Sequence, residues 1–346
     1  MKIAVDKNSV KAIKKDGNEY IYLFDNEPLN YLIDLKIHCV HYSKCDFCEI
    51  NLTDYNIDCI KKSKITENDY DKLPELVNYK IGIIIPNYNY EHTIEKCLNS
   101  IFSQSYKNVE IIFIDDMSTD DSVLIARKTY EKYLFNHNDI KMKIVRLKQK
   151  RLNGGARNEG YLHLSDDVDY IYYIDSDDWI NEGALRDINL KLQKKPDVLF
   201  VGMDSYKNEK QRECYIPQYK DKYEAMQGWS GSCGKVIKKS LATRQECLYN
   251  EGTLKEDRNQ HRRICFYMKG FELLKKPIYV WNQSNMKSVT TVRDEVMWGT
   301  STIRHYADTK QFYLSVKGKD KKVDRILKQS LKQCKDEILN GGDRQW

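Results

Sequence analysis

The chain has 346 residues, 41% of them hydrophobic, and 57 Lys and Arg against 51 Asp and Glu, for a formal net charge of +6. That balance excludes a disordered chain, and no apolar run approaches the ~18 residues of a membrane span. Ten cysteines at irregular spacing, and an N-terminus whose apolar residues are interrupted by Asp6 and Lys7, predict a cytoplasmic protein with free thiols rather than a secreted one.

The charge is unevenly spread. Residues 1–80 carry 12 basic and 14 acidic side chains, residues 81–204 carry 16 and 20, and residues 205–346 carry 29 and 17. The positive excess therefore lies wholly in the last segment.

Residues 1–79 are rich in Lys, Asn, Asp and Tyr, with short apolar pieces at Tyr20–Phe24 and Tyr31–Leu35. They read as a small α/β or β-rich extension. His38, Cys39, His41, Cys45, Cys48 and Cys59 cluster here, and Cys45-x-x-Cys48 has zinc-ligand spacing. No second CxxC accompanies it, so ordinary thiols and histidines are the expectation over structural zinc.

From residue 80 strands and helices alternate. Lys80–Ile85 is a β-branched run, and Glu91–Gln104 has helical spacing of Ile94, Leu98, Ile101 and Phe102. Val109–Ile114 is a second strand, followed by a helix to about Tyr133 that Ser118 or Thr119 can cap. Met142–Leu147 is a third strand and Asn158–Leu164 a helix. Tyr170–Ile174 is a fourth strand, Asn181 opens a helix to about Leu192, and Val198–Met203 is a fifth strand. This alternation predicts an α/β fold with a mainly parallel sheet flanked by helices. Val323, Ile326, Leu327, Leu331 and Ile338 mark one face of a basic helical segment within 301–346.

Ligands of open α/β sheets sit at the carboxyl ends of the strands. Here those ends carry Pro86-Asn87-Tyr88-Asn89, Asp115-Asp116, Asn153-Gly154-Gly155-Ala156-Arg157-Asn158 and Asp175-Ser176-Asp177-Asp178. Crowded carboxylates need a cation between them, and oxygen ligands suit Mg²⁺ or Mn²⁺, which share substrate phosphates with one or two carboxylates. Glycines admit close approach of backbone to a ligand, and Arg157 adds positive charge.

The motifs IGIIIPNYN, IIFIDDMSTD, NGGARNEGY and YIYYIDSDDW, in this order and spacing, resemble the nucleotide-sugar half of family 2 glycosyltransferases, which have the GT-A fold. The resemblance implies residues 80–204 as the nucleotide-sugar-binding half, 205–300 as the acceptor-binding half and a nucleoside-diphosphate sugar donor, usually with UDP. It implies that Pro86, Tyr88, Asn89, Asp115 and Asp116 surround the nucleoside, and that Gly154, Gly155 and Arg157 lie near the sugar. Asp175 and Asp177 would hold metal and diphosphate. The loop between the glycine pair and Ala-Arg-Asn is shorter than the family's usual one. Glu256-Asp257 fits the later acidic pair: an inverting displacement needs a base for the acceptor hydroxyl, and Asp257 is the candidate, with Glu256 orienting its surroundings. Trp229 and Asp178 are expected at the acceptor, although core packing is equally open for Trp229. Lys287 and Arg293 could neutralise the leaving group.

The basic segment predicts an anionic acceptor. Three surfaces suit it: DNA, an anionic polymer or lipid-linked glycan, or the membrane face met by residues 317–339. A Lys/Asn/Ile/Tyr-rich composition suggests an AT-rich, phage-like genome, and some phage glycosyltransferases modify hydroxymethylated bases of DNA. A DNA acceptor is therefore the leading expectation and a surface polysaccharide or lipid-linked glycan the alternative. An inactive nucleotide-sugar-binding module is the third reading.

Overall fold

The computed structural model describes residues 2–4, 10–16, 19–24, 49–51, 77–137, 139–207, 210–284 and 295–339. The chain divides into two units, Met1–Asn78 and Tyr79–Trp346. In the first, β1 (Lys2–Ala4) pairs antiparallel with β4 (Glu49–Asn51), and β2 (Val10–Asp16) with β3 (Glu19–Phe24). His38, Cys39, His41, Cys45, Cys48 and Cys59 lie outside the described residues.

The second unit is built on a nine-stranded sheet. Its strands are β5 (Ile81–Asn87), β6 (Val109–Asp115), β7 (Lys141–Arg146), β8 (Tyr170–Tyr173), β9 (Trp179–Ile180), β10 (Val198–Lys207), β11 (Lys210–Tyr215), β12 (Lys235–Lys238) and β13 (Phe271–Asn282). The helices are α1 (Ile94–Phe102), α2 (Ser122–Asn136), α3 (Leu152–Leu162), α4 (Ala184–Leu192), α5 (Lys222–Gln227), α6 (Lys239–Ala242), α7 (Glu256–Tyr267), α8 (Glu295–Val316) and α9 (Lys321–Leu339).

The spatial order is β7-β6-β5-β8-β12-β10-β13-β9, with β11 paired to β10. The run from β7 to β8 is parallel, as is β10 with β13, and β12 lies antiparallel between the two groups. The chain steps outward from β5 to β6 and β7, then returns through α3 to β8 on the other side of β5. That reversal opens a crevice at the carboxyl ends of β5 and β8, where open α/β sheets hold ligands. The register Ile84↔Tyr173 brings the two ends side by side, and Ser176 Oγ donates to the Pro86 carbonyl to fix them.

Every residue of β5 is buried, because both faces of the sheet are covered. Ile83 and Ile85 join one layer with Leu98 of α1 and Ile188 of α4. Ile84 joins the other with Ala156 of α3, Ile264 of α7, Phe312 of α8 and Leu327 of α9. This is the physical reason for the isoleucine-rich run Ile81, Ile83, Ile84 and Ile85.

Three differences from the sequence expectations have identifiable causes. Helix α3 begins at Leu152, not Asn158, because both carboxylate oxygens of Asp116 cap its first turn, accepting from Arg151 N (2.7 Å) and Leu152 N (2.8 Å). Helix α4 begins at Ala184 after Gly183 at φ 75°, while Asn181 donates its side chain to Pro277 O (3.1 Å) instead of capping. Strand β10 continues past Met203 because β11 folds back on it. In α9, Val323, Ile326, Leu327, Ser330 and Cys334 are buried against the protein. Most of the apolar face that suggested membrane contact for residues 317–339 is thus already covered, and that expectation is corrected. No helix among the described residues is long and apolar enough to cross a membrane.

Candidate active site

The two acidic motifs meet at one guanidinium. Arg157 on α3 is 3% exposed. Its Nη1 donates to Glu256 Oε1 (2.8 Å) at the start of α7, and its Nη2 donates to Asp175 Oδ1 (2.7 Å) after β8. The rings of Tyr249 and Tyr173 stand 5.4 and 6.0 Å from its Cζ. Asn158, the next residue, exchanges hydrogen bonds with the Tyr249 backbone, its Nδ2 donating to the carbonyl (2.9 Å) and its Oδ1 accepting from the N–H (3.0 Å). Helix α3 therefore carries both the cation and the support for the segment leading to α7.

Burial pushes the Glu256 carboxyl up to about 7, overcoming the opposing Arg157 charge, and Asp257 adds to the rise. Folded Glu256 therefore binds more protons than unfolded Glu256 between about pH 4.5 and 7. Stability from this group is full below the unfolded value and is lost as pH rises through the folded one. We expect Glu256→Gln to flatten that part of the stability-versus-pH curve, measured by denaturant unfolding at pH 5 and pH 8. An unchanged slope would contradict the assignment.

The loop after β8 is tied to β13. Asp178 accepts from the Tyr279 hydroxyl and from Asn282 N (2.8 Å). Burial first, then Asp177 and Asp175, push its carboxyl well above the usual range. Both Asp178 oxygens are thus engaged in holding the loop. Tyr279 OH also accepts from Asp175 N (3.2 Å). Asp177 lines a cavity of about 430 Å³ with Lys96, Trp179 and Asn282.

Among the described residues, Asp175, Asp178 and Cys233 place ligand atoms within 4.8 Å of one another. Asp177 stands outside that trio. Burial pushes the Cys233 thiol well up, so it stays protonated and is a poor partner for a hard cation. The crowded carboxylates themselves fit an oxygen-seeking divalent cation completed by phosphate oxygens.

At the ends of β5 and β6 most side chains hold the loops. Asp115 is fully buried and accepts from Asn87 Nδ2 (3.2 Å) and Ser118 N (3.2 Å), with Arg146 Nε at 3.2 Å. Asn89, at φ 59°, accepts at Oδ1 from Thr119 N (2.8 Å). Tyr88 is 38% exposed, and Lys150 Nζ lies 2.9 Å from its ring centroid. Its ring offers a stacking surface at the crevice.

Gly154 and Gly155 lie inside α3 rather than in a loop. A Cβ at Gly154 would stand 2.6 Å from Asn250 O and 3.1 Å from Glu256 Cβ. Their bareness admits the 250–256 segment against the helix, which brings Glu256 within reach of Arg157. Gly154→Ala is expected to cost about 1–3 kcal/mol and to lower turnover, checked by chemical denaturation beside an activity assay.

Trp229 is seated over Gly231 and Gly234, whose missing side chains make room for its ring, and it packs beside Tyr215. Lys235 Nζ holds this turn by donating to Ser230 O (2.8 Å) and Gly231 O (2.7 Å). Burial pulls Lys235 down to about 8, while the charge of Asp257 acts in the opposite direction. Asp257 is half-buried beside this turn. Sequence reasoning missed the roles of Tyr249, Tyr279 and Lys235; an aromatic in a loop or strand, or a lysine before a β-branched pair, carries no local sign of its distant partner. Lys287 and Arg293 lie outside the described residues.

The family model Glycosyl transferase family 2 matches residues 82–248. The glycosyltransferase GlyA of Streptococcus pneumoniae serotype 4 is 33% identical over 148 residues, covering 43% of this chain and 20% of its own length. The poly(ribitol-phosphate) beta-N-acetylglucosaminyltransferase TarS of Staphylococcus aureus is 30% identical over 128 residues, covering 36% of this chain and 21% of its own length. The chain thus spans about a fifth of the length of either relative. The crystal structure of S. aureus TarS 1–349 in complex with UDP-GlcNAc superposes with a TM-score of 0.58 at 21% identity, over 76% of this chain and 72% of that one. The sheet order and the switch point between β5 and β8 agree with the GT-A fold of the structural neighbour, and residues 82–248 are similar to family 2 glycosyltransferases.

Proposed function

We propose that this chain transfers a sugar, with inversion, from a UDP-linked donor to a hydroxyl of an anionic surface polymer. The observation that carries the reading is the Arg157 bridge. It joins Asp175 of the acidic loop to Glu256, the neighbour of Asp257 in the chain. The UDP-GlcNAc complex of TarS supports the donor class. Relatives named for poly(ribitol-phosphate) or for amylovoran biosynthesis support a surface polymer. The DNA acceptor expected from the basic segment has no counterpart among these relatives, and the polymer reading is favoured over it.

In this reading Tyr88 stacks on the base. Asp116 retains a second lone pair on each oxygen for the nucleoside while capping α3. Asp175, with Asp177 of the same loop, would hold a divalent cation, which would supply positive charge against the diphosphate leaving group. Asp257 takes the proton of the acceptor hydroxyl as its oxygen bonds to the anomeric carbon, on the face opposite the breaking bond to diphosphate. Glu256 acts through Arg157 and is a positioning residue. Trp229 offers an apolar surface beside the acceptor.

The test is hydrolysis of a panel of nucleotide sugars with and without Mn²⁺. The reading predicts turnover of UDP-sugars that a chelator removes and Mn²⁺ restores. Absence of turnover with every UDP-sugar, or full turnover in chelator, would contradict it.

A further inference from the structure

Immediately past Asp257, α7 borders a second cavity. It measures about 350 Å³ and opens between α5, α7 and α9, a size that suits a small polar ligand. Arg258, His261 and Arg262 of α7 line it, with Gln329, Ser330 and Gln333 of α9. Ser230, next to Trp229, lines it as well.

The cavity walls carry unmet demands. Arg262 Nη1 meets Asn259 Oδ1 (3.2 Å) and His305 Nε2 (3.5 Å). Neither partner is charged, since burial holds His305 well below its ordinary value. Arg262 is half-buried, its hydrogen-bond partners are uncharged and the Asp257 charge acts on it from nearby; an anion in the cavity gives it a charged hydrogen-bond partner. Arg258 adds a second guanidinium, itself 3.5 Å from Glu337.

Two further groups ask for something other than charge. Ser330 is 5% exposed, and its hydroxyl has no hydrogen-bond partner among the described residues. His261 is kept neutral by burial and donates from Nε2 to Ala225 O (2.7 Å). Its Nδ1 is therefore an acceptor, also without a partner among the described residues. Buried polar atoms of this kind are rare and costly. An acceptor nitrogen takes a hydroxyl donor, of which a phosphorylated polyol supplies several, inorganic phosphate only its P–OH, and a DNA phosphodiester none.

We propose that this cavity is an acceptor subsite that binds a phosphate together with its neighbouring hydroxyls, from a polyhydroxylated phosphodiester chain. Its place beside Asp257 and Trp229 suits the unit next to the one that reacts. The inference rests on the polymer-acceptor reading above and names the acceptor's chemistry.

Two variants test it in the full chain. Ser330→Leu fills the cavity, and Gln329→Glu with Gln333→Glu puts negative charge on exposed wall positions that folding tolerates. Transfer from UDP-GlcNAc to a poly(ribitol phosphate) oligomer should show KM raised about tenfold or more, with kcat retained. Calorimetric titration of ribitol 5-phosphate should detect binding to the wild type, weaker in both variants. Inorganic phosphate and duplex DNA should bind less well. Unchanged KM in the double variant would overturn the subsite while leaving the transferase reading intact. If the wild type gives no product on the oligomer, the acceptor reading fails, and the titration alone decides the cavity. Equal affinity for ribitol 5-phosphate in wild type and variants, or preferential binding of DNA that the variants lose, would also overturn the subsite.

Discussion

Asp257→Asn is expected to lower sugar transfer by about 10²–10⁴-fold, the range for removal of a general base. The amide keeps the shape and hydrogen-bonding size of the carboxylate but cannot take a proton. Donor binding should stay at the wild-type level, because Tyr88, the proposed nucleoside surface, and the acidic loop at Asp175–Asp178 lie on other elements. Rate assays beside calorimetric titration of UDP separate these effects. Transfer at wild-type rates would remove Asp257 from the chemistry. Lost donor affinity with unchanged kcat would assign it to binding instead. The charge of Asp257 also reaches the turn beneath Trp229, where it acts on Lys235 against the effect of burial.

The second large effect concerns stability as well as rate. Arg157→Met leaves Asp175 and Glu256 facing each other without their shared cation. Removing one partner of a buried pair costs about 3–5 kcal/mol, and half-buried Asp175 puts this case towards the lower end. Turnover should fall together with stability, since the loop after β8 and the start of α7 lose their joint. Arg157→Lys should rescue little, because one ammonium cannot make two directed bonds to separate carboxylates as a guanidinium does. Denaturant unfolding of the three proteins checks this. A methionine variant as stable and active as wild type would show that the bridge is incidental.

The strands were the most legible part of the chain. β5 and β6 are rich in β-branched residues because both of their faces are covered, and burial of that kind writes itself into the local sequence. The start of α3 was not legible. Its cap, Asp116, is 35 residues from Arg151, and a glycine pair in the first turn disguises a helix whose glycines exist for packing against Asn250 and Glu256. The same limit applies to Asp115 and Asp178. As sequence they are acids at strand ends, like Asp175; only the folded chain commits Asp115 to Asn87, Ser118 and Arg146, and Asp178 to Tyr279 and Asn282.

Charge counting misled in a comparable way. The 29 basic residues after 204 do not all face solvent. Lys235 is buried on two carbonyls, Lys255 donates to Thr302 Oγ1 and Glu337 Oε2 (both 2.8 Å), and Arg263 pairs with Asp308. Part of the positive excess therefore stabilises the packing of α7 against α8 and α9. Lys321, Lys322, Arg325, Lys328, Lys332 and Lys335 stay exposed along α9, while Arg258, paired with Glu337, and Arg262 stand at the cavity beside α7.

The most direct test of the account is the anomeric configuration of the product. The full chain is incubated with Mn²⁺, an α-linked UDP-sugar and a poly(ribitol phosphate) oligomer, and the product is analysed by mass and by the anomeric proton coupling in NMR. A single displacement with Asp257 as base predicts a β-linked sugar on the oligomer and free UDP. An α-linked product, or no product with an oligomer that demonstrably binds, would contradict it.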